Sequence, residues 1–466
     1  MRRPCRARRA AAAASAARLS LLLLLLLPVL LLPVLLLPVR PAAARPVHRA
    51  PSVASVPSAD PRLRRIAAAL AALRAGRRQG PIVVLQIGDS HTANDGFSGA
   101  MRDRMQARFG DGGRGVLPPG IPYAYFRPHG VQVTAEGWER IGGHALRPGT
   151  EGPPLIGITA VRQHAAGPAR MTYTVDDPAD LGAVAVEVLR QVRGGTLSAQ
   201  YDDGPPVLLR TGLVRRDGPR PRAVWIALPP GRGARTLTLA AQGDGPVDVL
   251  GIDLRRIPVA AGPSGRALNA ARGLIWANLG TVGAQVNQVQ SWDPAIVGAD
   301  LRYLRPDLIV LAFGTNEGFG PLADLDGYAA RYVDAARRLL RYGGTLIVVE
   351  PPDGNRKVAS ASAAAPEPVC GPAEGGVWAE PPGLGIVRRD EAAVALRQGW
   401  WAWDWSAAMG GTCSMARWAA ADPPLAYADH VHLREAGDAR SADALYAALL
   451  GAMAIPPGPA AARSGP

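Results

Sequence analysis

The chain has 466 residues, 48% of them hydrophobic, enough for two folded units that each bury a core. A formal net charge of +14 would suit a nucleic-acid partner, yet Lys357 is the sole lysine, and much of the excess arginine falls in the first 80 residues. Aromatics are not interleaved with these arginines as a base-stacking platform requires, so they read as solvated surface and nucleic acid is excluded as the expected partner.

Arg2, Arg3, Arg6, Arg8 and Arg9 precede an almost pure Leu, Val and Pro run from Leu19 to Val39, and Ala42-Ala43-Ala44 follows. This is the layout of a bacterial export signal. The run also approaches the length of a membrane span, although Pro28, Pro33 and Pro38 interrupt a regular helix. Residues 1–44 therefore read as a signal peptide or a retained N-terminal anchor. Either reading puts the remainder outside the cytoplasm: periplasmic or secreted, or anchored to the inner membrane. Cys5 has no lipobox-like setting.

Residues 45–60, rich in Pro, Ala and Ser, read as a linker. A helix is predicted over 61–79, with Leu63, Ile66, Leu70 and Leu73 on one face. Ile82 to Ile87 is a continuous apolar run ended by Gly88, as in a buried parallel strand, and a helix is predicted near 96–109. Residues 61–149 form the first part of an α/β domain. Over 150–257 short β-prone runs recur between Gly, Pro and Asp, predicting an inserted all-β sandwich. Alternation of strand and helix returns over 258–455. Strands are predicted at 274–279, 308–313, 345–350 and 401–405, and helices at 325–342, 386–398 and 435–450, with a long loop at 352–384. Such alternation implies a three-layer fold. Residues 456–466 read as a disordered tail.

Sites in open α/β sheets form at the carboxyl ends of strands. Polar or Gly clusters occupy those ends: Gly88-Asp89-Ser90-His91, Gly280-Thr281-Val282-Gly283, Gly314-Thr315-Asn316-Glu317, and Asp429-His430-Val431-His432 before the last helix. A serine nucleophile needs a base, and the base an orienting acid. Ser90, His432 and Asp429 are the candidates. An oxyanion needs preorganised donors, which the Ser90 and Gly283 N–H groups and the Asn316 amide can supply. Each cluster alone is a common turn; all four in order are specific. His91 reads as a positioning or packing residue, His430 as pointing away from His432, and Glu317 as an acid supporting its loop. Trp400, Trp401, Trp403 and Trp405 read either as core or as a sugar-binding lining.

These four blocks resemble the SGNH hydrolase family, over about 82–110 and 270–450. The resemblance implies a flavodoxin-like α/β/α fold with Ser90, His432 and Asp429 as catalytic triad and Ser90, Gly283 and Asn316 as oxyanion hole. The runs Leu85–Ala93, Gly314–Glu317 and Trp403-Asp404 with Ala408–Gly411 and Trp418 are similar to periplasmic peptidoglycan O-acetylesterases, which carry an inserted jelly-roll-like carbohydrate-binding module. His91 stands where the wider family commonly has Leu. The expected function is a serine esterase removing O-acetyl groups from a cell-envelope polysaccharide, most of all peptidoglycan, with neither organic cofactor nor metal. An O-acetyltransferase with the same triad, a lipase or thioesterase, and an inactive glycan-binding protein are the alternatives. In an oxidising compartment Cys370 and Cys413 are expected to form a disulfide, two separate buried thiols being the other reading.

Overall fold

The computed structural model describes residues 59–143, 154–214, 218–257, 272–359 and 368–456. The expected signal or anchor, nearly all of the linker and residues 457–466 of the tail lie outside the described residues.

Every residue of the strand Ile82–Gly88 is buried, because the run Ile-Val-Val-Leu-Gln-Ile-Gly has an apolar group for both faces of a sheet. It lies inside a five-stranded parallel sheet, between Leu274–Gly280 and Leu308–Ala312, with Thr345–Val349 and then Trp401–Trp403 beyond. Numbered along the chain, the spatial order is 2-1-3-4-5. Val83, Leu85 and Ile87 pack with Tyr328, Tyr332 and Leu339 of the helix Tyr328–Leu340, and with Val387 and Val394 of Pro382–Gln398. Ile82 and Val84 point the other way, onto Ile66 and Leu70 of Arg64–Arg74, Met101 and Met105 of Gly96–Phe109, and Leu445 and Leu449 of Glu435–Ala452. Helices thus cover both faces.

Two antiparallel sheets enclose a separate apolar core. One joins Arg222–Ala227, Ala183–Arg190, Val247–Arg255, Val161–Ala165 and Glu139–Gly142, with Gly115–Leu117 also on Val247–Arg255; the other joins Val131–Glu136, Pro168–Val175, Thr236–Gln242, Thr196–Tyr201 and Val207–Arg210. Val186, Val188, Val249 and Ile252 of the first meet Met171, Tyr173, Leu197 and Leu239 of the second. The strands at 115–117, 131–136 and 139–142 precede the boundary expected at 150. The alternating burial of Val-Gln-Val-Thr-Ala-Glu is an ordinary half-buried strand. On its outer side the first sheet rests on the helix Pro294–Leu304: Leu189, Ala223 and Leu250 pack with Ile296, and Trp225 stacks on Tyr303 at 4.4 Å.

Three further differences from expectation are local. The first helix stops at Arg74, because Gly76 takes a left-handed φ of 66°. The supposed loop 352–384 contains a small sheet, Arg356–Val358, Gly376–Ala379 and Val369–Ala373, and ends in a helix that starts at Pro382. Trp405 opens the helix Trp405–Met409 instead of ending a strand, since the Asp404 carboxylate caps it by accepting from Ala407 N–H at 2.8 Å. A disulfide joins Cys370 in the small sheet to Cys413.

Candidate active site

In a 2-1-3-4-5 sheet the crevice lies where the strand order reverses, outside the carboxyl end of the first strand. Ser90 follows that end. Asp89 N–H donates to Ala312 O at 3.3 Å on one side, and Thr281 N–H donates to Gly88 O at 2.9 Å on the other. The second and third polar loops therefore flank the serine.

Ser90 opens the short helix Ser90–Ala93, whose cap is the Asp89 carboxylate, accepting from His91 N–H at 3.0 Å. As a first helical residue Ser90 has no intrahelical acceptor for its own N–H. The helix packs tightly on the neighbouring strand: a Cβ at Gly280 would stand 2.2 Å from Ala93 N. Asn278 on that strand donates to Thr92 O at 2.6 Å and to Asp95 Oδ1 at 3.0 Å. Asp95 is buried, with a left-handed φ of 58°, and its carboxylate also takes Arg102 and Arg114, each at 2.6 Å. Burial pushes its pKa up, but the two guanidinium groups outweigh that and hold it below the usual carboxylate range. This hub, which fixes the loop behind Ser90, was not apparent from the sequence. An Asp five residues after a serine has no special spacing.

Ser90 Oγ lies 3.0 Å from His432 Nε2, and His432 Nδ1 lies 2.7 Å from Asp429 Oδ2. An ionised carboxylate only accepts, so Nδ1 carries the proton, Nε2 offers its lone pair and the serine hydroxyl donates to it. The other oxygen of Asp429 accepts from Val431 N–H at 2.9 Å and His432 N–H at 3.0 Å. Burial raises the Asp429 pKa, but these bonds and the imidazole reverse the effect and hold it well below the usual range. His432 and Asp429 keep 40% and 48% of their side-chain surface exposed.

Gly283 adopts a φ of 72°, which favours glycine in the turn after the second strand. The Asn316 amide donates to Ala284 O at 2.8 Å, tying the third loop to the second and leaving one amide hydrogen for a ligand. Glu317 accepts from Val286 N–H at 2.7 Å, so it too braces that turn. Burial pushes its carboxyl up to about 7, against the lowering by the Val286 N–H.

His430 turns away from His432 through a left-handed φ of 57° and stacks on Trp378 of the small sheet, at 3.9 Å and 10°. This aromatic contact beside the site had no sequence signal, because Trp378 lies in the segment read as loop. The other tryptophans take the core reading: Trp400, Trp401, Trp403 and Trp405 are at most 9% exposed.

The fold is a parallel α/β sheet with helices on both faces and two antiparallel sheets built onto it. A solved peptidoglycan O-acetylesterase superposes with a TM-score of 0.61 at 24% identity, covering 83% of this chain and 95% of that one. An acetyl xylan esterase matches with a TM-score of 0.26 at 14% identity over 39% of this chain and 84% of that one. A family two carbohydrate esterase from Clostridium thermocellum matches with a TM-score of 0.25 at 12% identity over 67% and 98%. No family model matches the chain. No curated protein matches it either.

Proposed function

We propose that the protein is an SGNH-type serine esterase that removes O-acetyl groups from a cell-envelope polysaccharide, peptidoglycan being the favoured substrate. The observation that carries this reading is the unbroken relay from Ser90 Oγ to His432 Nε2 at 3.0 Å and from His432 Nδ1 to Asp429 at 2.7 Å. It stands at the strand-order reversal, and the strand order and two-faced helical cover suit a flavodoxin-like fold. In this mechanism Ser90 attacks the acetyl carbon as His432 takes its proton. Ser90 N–H, Gly283 N–H and the Asn316 amide stabilise the oxyanion. His432 returns the proton to the departing sugar hydroxyl, then activates water against the acetyl-enzyme. Asp429 stabilises the imidazolium throughout. The exposure of His432 and Asp429 supports hydrolysis over transfer, because water reaches the base freely.

The sandwich is the proposed holder of the glycan chain, and the N-terminal segment the proposed export signal or anchor. The deciding experiment is acetate release from O-acetylated peptidoglycan, with acetylated xylan and p-nitrophenyl acetate as comparisons. Ser90→Ala and His432→Ala should each abolish most release, and the double variant should be scarcely worse, since triad members act as a unit. Substantial activity in Ser90→Ala removes the nucleophile assignment.

A further inference from the structure

The oxygen nearest each ring nitrogen of His91 is an acceptor, a carboxylate at one and a carbonyl at the other. Nδ1 lies 3.2 Å from Asp89 Oδ1, and Nε2 lies 2.9 Å from the carbonyl oxygen of Val431. A neutral imidazole has one N–H, so it could serve one of these and would turn a bare lone pair toward the other. The doubly protonated ring serves both. The ring is 3% exposed and Asp89 2% exposed, which makes an unpaired charge untenable there and a matched pair acceptable.

We propose that His91 is an imidazolium strut that ties the nucleophile loop to the base loop and positions His432. Its catalytic consequence rests on the triad reading above. Val431 is held at both ends: its N–H by Asp429 and its C=O by His91. The peptide that leads into His432 therefore cannot rotate, and the His432 ring stacks over His91 at 5.4 Å and 26°. The groups facing His91 are Asp89 on its own loop, Thr315 Oγ1 at 3.5 Å from Nδ1, the edge-on ring of Trp405 at 5.7 Å, His432, and Asp438 of the closing helix. Burial opposes the charge. Asp89, the Val431 carbonyl and Asp438 overcome it, so the pKa is raised above the ordinary value of 6.5. With the folded value raised, the strut's contribution is complete below the ordinary histidine value of 6.5 and is lost as pH rises through the raised one.

The charge state is read directly by ¹H–¹⁵N correlation of the ring nitrogens in the histidine-labelled protein. His91 is assigned by the signals missing from His91→Gln. At the ordinary histidine value of 6.5, both nitrogens should carry hydrogens in most molecules. A bare ring nitrogen there overturns the proposal, whatever the enzyme does. In kinetics, His91→Leu should lower kcat about 10- to 100-fold with KM unchanged. His91→Gln, which retains one donor, should recover part of the loss. Full kcat in a folded His91→Leu also overturns the strut while leaving the triad standing. Activity in Ser90→Ala would instead remove the triad and leave the ring's protonation as a separate result.

Discussion

Glu317 offers a test of how the loop beside Ser90 is braced. Its carboxyl is 5% exposed and accepts the Val286 N–H at 2.7 Å. Burial lifts its pKa from 4.5 to about 7. The folded state thus binds this proton more tightly than the unfolded chain. The associated stability is complete below about pH 4.5 and lost as pH rises through 7. A lift of that size makes the ionised form cost about 3 kcal/mol in the folded protein. Glu317→Gln keeps an acceptor for Val286 and removes the charge. The variant should gain up to about 3 kcal/mol at pH 8.5 and little at pH 4. Chemical denaturation at the two pH values measures this. An equal effect at both, or a loss at pH 8.5, would refute a buried carboxyl that ionises at a cost. It would mean that the bond to Val286 N–H depends on the charge.

Asn316→Ala should lower turnover by about 10²- to 10³-fold with little change in KM, as loss of one preorganised oxyanion donor does. Unchanged turnover with weaker binding would make Asn316 a substrate contact instead. Cys413→Ser removes a cross-link between residues 43 apart, which in the chain-entropy model costs about 4 kcal/mol. Urea denaturation with and without reductant measures this. Identical midpoints for wild type and variant under oxidising conditions would overturn the expectation.

Much of the central sheet is legible because its strands are fully buried. Runs such as Ile-Val-Val-Leu and Leu-Ile-Val-Leu-Ala, each opened and closed by turn residues, have one reading at this length. The grouping of Ser90, His432 and Asp429 was legible for a topological reason. Each loop sits where its strand or helix must begin or end, and parallel crossovers bring those ends to one edge. The small sheet was not legible. Its strands have three to five residues, are half-exposed, and in Val369–Ala373 include Gly371 and Pro372 with a slip in register. Recurring short strands mark much of the antiparallel region, but strands at 115–117, 131–136 and 139–142 lie ahead of residue 150. Val131–Glu136 pairs with Pro168–Val175 across a long intervening stretch, and such partners cannot be found from local pattern. The strut and the Asp95 hub depend on side-chain directions that spacing does not encode.

The entry and exit of the antiparallel sheets lie side by side, since Val116 pairs with Asp253 and Leu254 with Gly115. Meanwhile Gly88 waits for Gly280 and Ala312, both made only after the whole sandwich. During synthesis the apolar strand Ile82–Gly88 is therefore produced before the antiparallel sheets and paired only after them. Both its edges stay open until the sandwich has closed and brought its two ends together. The speed at which the sandwich closes thus sets how long the nascent chain presents an unpaired apolar strand. A slow sandwich is a hazard of aggregation even where the finished protein is stable.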